Sequence, residues 1–102
     1  MDIYYTPNFK RQYKKLPEKI KDLAEGQEKI FVSNPFNPKL ETHKLHGRFK
    51  DFWSFSIDSK YRIIFEFAED NKAVFHSVGN HDIYATWLWK RGVEIKIKRE
   101  TQ

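Results

Sequence analysis

The chain has 102 residues, which is enough for one domain and leaves little room for a second, so we expect a single domain over residues 1–102. It contains no cysteine, which excludes a disulfide-stapled fold and favours a reducing compartment, the cytoplasm. The net charge of +5 favours a polyanionic partner, because a basic surface attracts phosphates and releases their counterions. Charge alone does not separate this from an acidic protein partner or from a basic protein that is merely soluble.

The sequence has no feature that indicates contact with a membrane. No apolar stretch approaches the roughly 20 residues that a bilayer-spanning helix needs. The first ten residues also lack the basic and apolar regions of a signal peptide. We therefore expect no membrane partner.

The first third of the chain predicts a strand followed by a helical hairpin. Residues 2–5 are strand-like, and Thr6-Pro7 offers an N-cap followed by a first-turn proline. Pro17 interrupts this helix and is well placed to begin a second one, whose apolar residues recur with a period of 3.6. Asn34-Pro35 ends the second helix.

The rest of the chain predicts strands joined by short turns. Residues 52–57, 61–67 and 73–78 are rich in β-branched and aromatic residues, which indicates an antiparallel meander. Residues 83–89 suit one or two helical turns, and the basic tail at 93–98 suits either an edge strand or a partly ordered arm. The predicted fold is α+β: a short N-terminal strand and a helical hairpin packed on an antiparallel β-meander, then a short C-terminal helix and a basic tail.

Four histidines, at positions 43, 46, 76 and 81, are the first candidates for chemistry. Their spacing matches no zinc motif, and cysteine is absent, so we expect no metal and no other cofactor. His76 lies in an apolar strand, where a packed structural histidine is the better interpretation.

His43, Arg62 and His81 form the more informative set. Metal-free RNA cleavage needs a base for the 2′-OH, a cation for the phosphate and an acid for the leaving oxygen. Histidine suits both proton transfers, and the planar fork of arginine suits phosphate. Each residue also has a structural explanation: Arg62 would pair with Glu66 or Asp58, and His81 would close a turn. The sequence does not show that the three converge.

A basic stretch with interleaved aromatic rings surrounds these candidates. Cations and rings in alternation hold single-stranded RNA through phosphate contacts and base stacking. The expected backbone-binding residues are Lys44, His46, Arg48, Lys50 and Lys60. The alternative is that the neighbouring rings serve the core, with Trp53 and Phe55 on one face of a strand and Phe52 on the other.

Three motifs in this order resemble the RelE/ParE toxin superfamily of toxin–antitoxin modules. They are Leu45-His46-Gly47, Tyr61-Arg62-Ile63-Ile64-Phe65, and Val78-Gly79-Asn80-His81 followed by Tyr84. With the N-terminal hairpin, the resemblance covers the chain up to about Tyr84. Phe52-Trp53-Ser54 is similar to the YoeB branch, and His43 with His81 is similar to YafQ.

The resemblance implies a division of catalytic roles. His43 would be the general base, Arg62 the phosphate-stabilising arginine, His81 the general acid, and Tyr84 a supporting residue. The site departs from each branch: Ser54 and Ser56 stand where RelE has lysines, and Ser56 and Lys60 where YafQ has histidine and aspartate.

The resemblance also implies a reaction and its partners. We expect a ribosome-dependent endoribonuclease of a type II module that cleaves mRNA, inhibited by a small acidic antitoxin. Residues 85–102 would contact ribosomal RNA or the antitoxin. Two alternatives are a ParE-like inhibitor of DNA gyrase, and a catalytically silent toxin-like binding module.

Overall fold

The computed structural model describes residues 1–80, apart from the side chain of Arg48. This part of the chain folds into two α-helices, five β-strands and two single-turn 3₁₀ helices. Their bounds are β1 Asp2–Tyr5, α1 Pro7–Lys14, α2 Glu18–Ser33, a 3₁₀ helix at Pro38–Leu40, β2 His43–Lys44, a second 3₁₀ helix at Gly47–Phe49, β3 Trp53–Ser56, β4 Arg62–Ala68 and β5 Lys72–Gly79. Neither α-helix in residues 1–80 is long and apolar enough to cross a membrane.

The helical hairpin begins and ends where the sequence predicts. The Thr6 hydroxyl accepts a hydrogen bond from the Phe9 N–H at 3.1 Å, which caps α1 as expected. α2 starts directly after Pro17 and ends at Ser33. The α+β prediction is confirmed.

The sheet is mixed, with strand order β1-β5-β4-β3-β2. The predicted meander is present, since β3, β4 and β5 pair antiparallel in sequence order. Two pairings were not predicted: β1 runs parallel to β5, and the two-residue β2 pairs antiparallel with β3. The β4–β5 turn lies at Asp70 and Asn71, whose left-handed φ angles of 60° and 58° suit these residue types.

The main core lies between the hairpin and one face of the sheet. At its centre, the Phe31 ring lies 4.9 Å from Phe55, 4.9 Å from Phe65 and 5.4 Å from Phe75, centroid to centroid. A smaller cluster on the other face joins Phe49 and Ile64 with the partly buried Leu45 and Phe52. Phe55 and Trp53 thus pack with the main core and Phe52 with the opposite cluster, as the strand alternation predicts.

Side chains of α1 cover the edge of β5 beyond the end of β1. Asn8 donates from Nδ2 to the His76 carbonyl at 3.0 Å. The Gln12 Oε1 atom accepts from the Val78 N–H at 2.9 Å and from the Ser77 hydroxyl at 2.7 Å. These bonds replace the ladder partners that a neighbouring strand would supply. They fix the part of β5 that leads towards residue 81.

The predicted C-terminal helix at 83–89 and the basic tail at 93–98 lie outside the described residues, and these two predictions stand untested.

Candidate functional site

The strand register places His43 and Arg62 on the same face of the sheet. His43 lies opposite Ser54 across β2 and β3, and Ser56 lies opposite Arg62 across β3 and β4. Because alternate residues of a strand share a face, His43, Ser54, Ser56 and Arg62 all lie on the face turned away from the main core. Strand spacing and rise put the His43 and Arg62 backbones roughly 12 Å apart, a separation that two long side chains can bridge around one phosphate.

Arg62 is held by a neutral partner. Its Nη1 donates to the Ser56 hydroxyl, which is 3% exposed and donates in turn to Glu41 Oε1 at 3.0 Å. In residues 1–80, no carboxylate lies within ion-pair distance of the guanidinium. Within residues 1–80, the charge of the guanidinium is therefore not neutralised by a carboxylate.

Glu66 and Asp58, the two carboxylates that the sequence suggests as ion-pair partners of Arg62, have other partners. Glu66 Oε1 lies 2.9 Å from His76 Nε2. Asp58 Oδ1 accepts from the backbone N–H groups of Lys60 at 2.8 Å and Tyr61 at 2.7 Å, which closes the β3–β4 turn. The structural explanation of Arg62 as one member of an ion pair with either residue is therefore wrong.

His43 is exposed on the short edge strand β2, with its Nδ1 atom 3.0 Å from the carbonyl oxygen of Glu41. Its other ring nitrogen is the one left for a substrate. Between residues 5 and 52 the sequence predicts no strand, and the structure places His43 in the two-residue strand β2.

His81 and Tyr84 lie outside the described residues, so their roles stay predictions. β5 ends at Gly79, which pairs with Arg62, and His81 is only two residues further along the chain.

The predicted RNA-binding residues do not all lie on one surface. Lys44 pairs with Trp53 on the opposite face of the sheet from His43, with its Nζ 5.9 Å from the centroid of the Trp53 ring. His46, Lys50 and Lys60 are exposed in the segments that flank β3. The Arg48 side chain lies outside the described part of the structure. Their contact with RNA stays a prediction.

His76 has the structural role predicted for it. Its ring contacts Glu66 on β4 and packs edge-on against Phe52, with centroids 5.1 Å apart. Within residues 1–80 there is no cluster of three or more His, Asp or Glu side chains able to hold a metal ion.

Glu41 and Ser56 are the site residues that the sequence analysis missed. Ser56 drew attention only as a departure from related toxins, although a small hydroxyl opposite an arginine in an apolar strand is a usable signal. Nothing in the sequence around Glu41 indicates its role, because that role depends on a turn with a left-handed φ of 52°.

A cavity of about 410 Å³ lies on the other side of the sheet, between α1 and α2. Its floor is apolar, and the Tyr5 hydroxyl at its edge donates to the Glu28 carboxylate. Burial and the adjacent Glu28 carboxylate raise the pKa of Tyr5. This cavity contains none of the predicted site residues.

A sequence model described as a bacterial toxin of type II toxin–antitoxin systems, YafQ, matches residues 1–85. The chain belongs to the YafQ toxin family. None of the curated proteins matches the sequence.

Solved toxin structures share the fold at low sequence identity. YafQ from Escherichia coli BL21(DE3) is 18% identical, with a TM-score of 0.66 over 78% of this chain and 92% of that one. A YoeB/ParE toxin from Agrobacterium tumefaciens is 14% identical, with a TM-score of 0.68 over 79% and 99%. The toxin in the E. coli DinJ–YafQ toxin–antitoxin complex is 18% identical, with a TM-score of 0.64 over 78% and 91%.

Proposed function

We propose that this member of the YafQ family is a ribosome-dependent endoribonuclease that cleaves mRNA without a metal ion. His43 acts as general base, Arg62 stabilises the phosphate, His81 acts as general acid, and Tyr84 assists. Lys44, His46, Arg48, Lys50 and Lys60 bind the RNA backbone.

The reaction is an in-line displacement at phosphorus. His43 takes the proton of the 2′-OH as that oxygen bonds to the adjacent phosphorus. The bond from phosphorus to the 5′ oxygen breaks, and His81 gives its proton to that leaving oxygen. The products are a 2′,3′-cyclic phosphate and a 5′-OH end, so no water or redox partner is consumed in this step.

One observation carries the proposal: Arg62 shares a sheet face with His43 and is held by a buried hydroxyl instead of a carboxylate. An arginine neutralised by a carboxylate binds a phosphate weakly, because the ion pair must first be broken. An arginine fixed at one nitrogen by a neutral acceptor is pre-positioned and keeps its charge for the transition state.

We further propose a cognate antitoxin as the protein partner. The YafQ of E. coli has been solved in complex with its antitoxin DinJ. The net charge of +5 on this chain fits a small acidic partner that covers the basic surface and blocks access to the site.

Induced expression with mapping of mRNA 5′ ends tests the function. The wild-type protein should arrest growth and produce cuts at codons in the ribosomal A site, while His43→Ala and Arg62→Ala should relieve both effects. Arg11→Ala, which removes an exposed arginine on α1, is the matched control and should remain toxic.

Two outcomes contradict the proposal. Growth arrest with intact mRNA and accumulated gyrase–DNA breaks would identify a ParE-like gyrase inhibitor. Full toxicity of both site variants would show that the site residues are misassigned.

A further inference from the structure

Glu41 has contacts on both sides of the proposed site. Its carbonyl oxygen lies 3.0 Å from His43 Nδ1, and its carboxylate Oε1 accepts from the Ser56 hydroxyl at 3.0 Å. Ser56 is the residue that accepts from Arg62. A single exposed glutamate, with no motif to mark it, thus connects the two predicted catalytic groups.

The backbone around Glu41 is firmly anchored. The preceding Leu40 is 0% exposed and belongs to the main core. From α2, Gln27 Nε2 donates to the Lys39 carbonyl at 3.2 Å and to the Ser56 carbonyl at 2.8 Å. Gln27 therefore holds both the Glu41 turn and β3, which fixes the position of Glu41 relative to Ser56.

The carbonyl contact selects one tautomer of His43. A carbonyl oxygen has no proton to give, so the hydrogen bond requires the proton on Nδ1. A neutral imidazole with its proton there carries its lone pair on Nε2. This is the form that can accept a proton from the 2′-OH.

The carboxylate contact fixes the direction of the Ser56 hydroxyl. A guanidinium only donates hydrogen bonds, so the Ser56 oxygen must accept from Arg62 and direct its own proton elsewhere. The Glu41 carboxylate accepts the hydrogen bond that this proton makes. Since Ser56 is 3% exposed, water competes little for either bond.

We propose that Glu41 is a positioning residue that orients His43 through its carbonyl and Arg62 through Ser56. The inference rests on the proposed function and adds to it a residue outside the predicted catalytic set. Glu41 itself does not touch RNA.

Three substitutions alter the contact between the Glu41 carboxylate and Ser56 while leaving the contact between the Glu41 carbonyl and His43 in place. Glu41→Gly removes the carboxylate but tolerates the left-handed backbone and keeps the carbonyl. Glu41→Gln keeps an oxygen acceptor for Ser56, and Ser56→Ala removes the link to Arg62 from the other end. Glu69→Ala, an exposed glutamate in the β4–β5 turn, matches the charge change of Glu41→Gly and is the control.

The kinetic test uses single-turnover cleavage of ribosome-bound mRNA by the full chain. Glu41→Gly and Ser56→Ala should each slow the cleavage step by roughly tenfold to a hundredfold with little change in KM, because a misplaced group lowers the rate after binding. Glu41→Gln should retain most activity, and the Gly/Ala double variant should be no slower than either single one. Glu41→Gly that cleaves as fast as Glu69→Ala would overturn the inference.

Nitrogen NMR tests the same contacts without reference to activity. In the wild type, the neutral His43 ring should carry its proton on Nδ1, and this tautomer should persist in Glu41→Gly. The Arg62 side-chain N–H signals should be resolved and protected in the wild type and lost to exchange in Glu41→Gly. Unchanged Arg62 protection in that variant overturns the inference, whereas a wild type that orders Arg62 but cuts no RNA overturns the proposed function alone.

Discussion

Ser56 lies directly opposite Arg62 across β3 and β4, and its buried hydroxyl accepts a hydrogen bond from the guanidinium. This relationship distinguishes a pre-positioned arginine from one member of a salt bridge. It also shows how a mostly apolar strand accommodates a charge at its first residue: Arg62 is only partly buried, and the Ser56 hydroxyl, itself hydrogen-bonded to the Glu41 carboxylate, accepts from its guanidinium.

Replacing Arg62 should lower catalysis without lowering stability. Arg62→Ala should slow single-turnover cleavage by roughly 10²–10³-fold, the usual loss when one stabilising donor is removed. Arg62→Lys should recover only part of the rate, because lysine keeps the charge but loses the planar fork. Thermal melts should match the wild type, and full recovery by lysine would show that the geometry of the guanidinium is irrelevant.

Phe31 should be a principal determinant of stability. It is 0% exposed and contacts three other buried rings, so Phe31→Ala should reduce the free energy of unfolding by about 3–5 kcal/mol. Phe36→Ala is the control, because Phe36 is 55% exposed and should cost far less. Urea denaturation followed by tryptophan fluorescence measures both. Equal losses of unfolding free energy in the two variants would mean that the face of α2 that carries Phe31 does not form the main core.

Gln12 should stabilise the end of β5. Gln12→Ala leaves the buried Val78 N–H without its acceptor, which should cost about 1–3 kcal/mol. Asn8→Ala should cost less, since the His76 carbonyl that Asn8 contacts also accepts from Thr6 Oγ1 at 3.2 Å. Hydrogen exchange of the Val78 amide reports the change locally, and unaltered protection in Gln12→Ala would contradict it.

The raised pKa of Tyr5 predicts a loss of stability in alkali. Burial, together with Glu28, makes the folded protein hold the Tyr5 proton more tightly than the unfolded chain does. The contribution is therefore complete below the ordinary tyrosine pKa of about 10 and declines as the pH rises above it. Tyr13, whose pKa burial also raises, adds to the decline.

Tyr5→Phe should flatten this alkaline decline in the free energy of unfolding, measured by urea titration at a series of pH values above about 10. Tyr4→Phe is the matched control, because Tyr4 is 60% exposed. A slope that is the same in Tyr5→Phe and Tyr4→Phe would refute the linkage.

Local signals made most of the fold predictable. The Thr6-Pro7 cap and the Asn34-Pro35 stop delimit the hairpin, and the aromatic runs delimit β3, β4 and β5. The parallel pairing of β1 with β5 was not predictable in the same way, because it joins residues some 70 positions apart and no turn specifies it.

The candidate site likewise contains residues that local sequence signals identify and one residue that they do not. His43 and Arg62 stand out by residue type, and the register brings them to one face. Glu41 was missed because its role comes from a left-handed turn and two hydrogen bonds, neither of which has a sequence signature. Lys44 follows His43 directly in the sequence, and because neighbouring residues of a strand point to opposite faces, the structure places the two side chains on opposite sides of the sheet.

The most direct test of the central claim is cleavage of a ribosome-bound mRNA that carries a single 2′-deoxy nucleotide on the 5′ side of the scissile phosphate. The account predicts that the all-ribose mRNA is cut to a 2′,3′-cyclic phosphate and a 5′-OH end, and that the deoxy-substituted mRNA stays intact, because the attacking hydroxyl is missing. Cutting of the deoxy-substituted mRNA at the same position, or products with a 5′-phosphate, would contradict it.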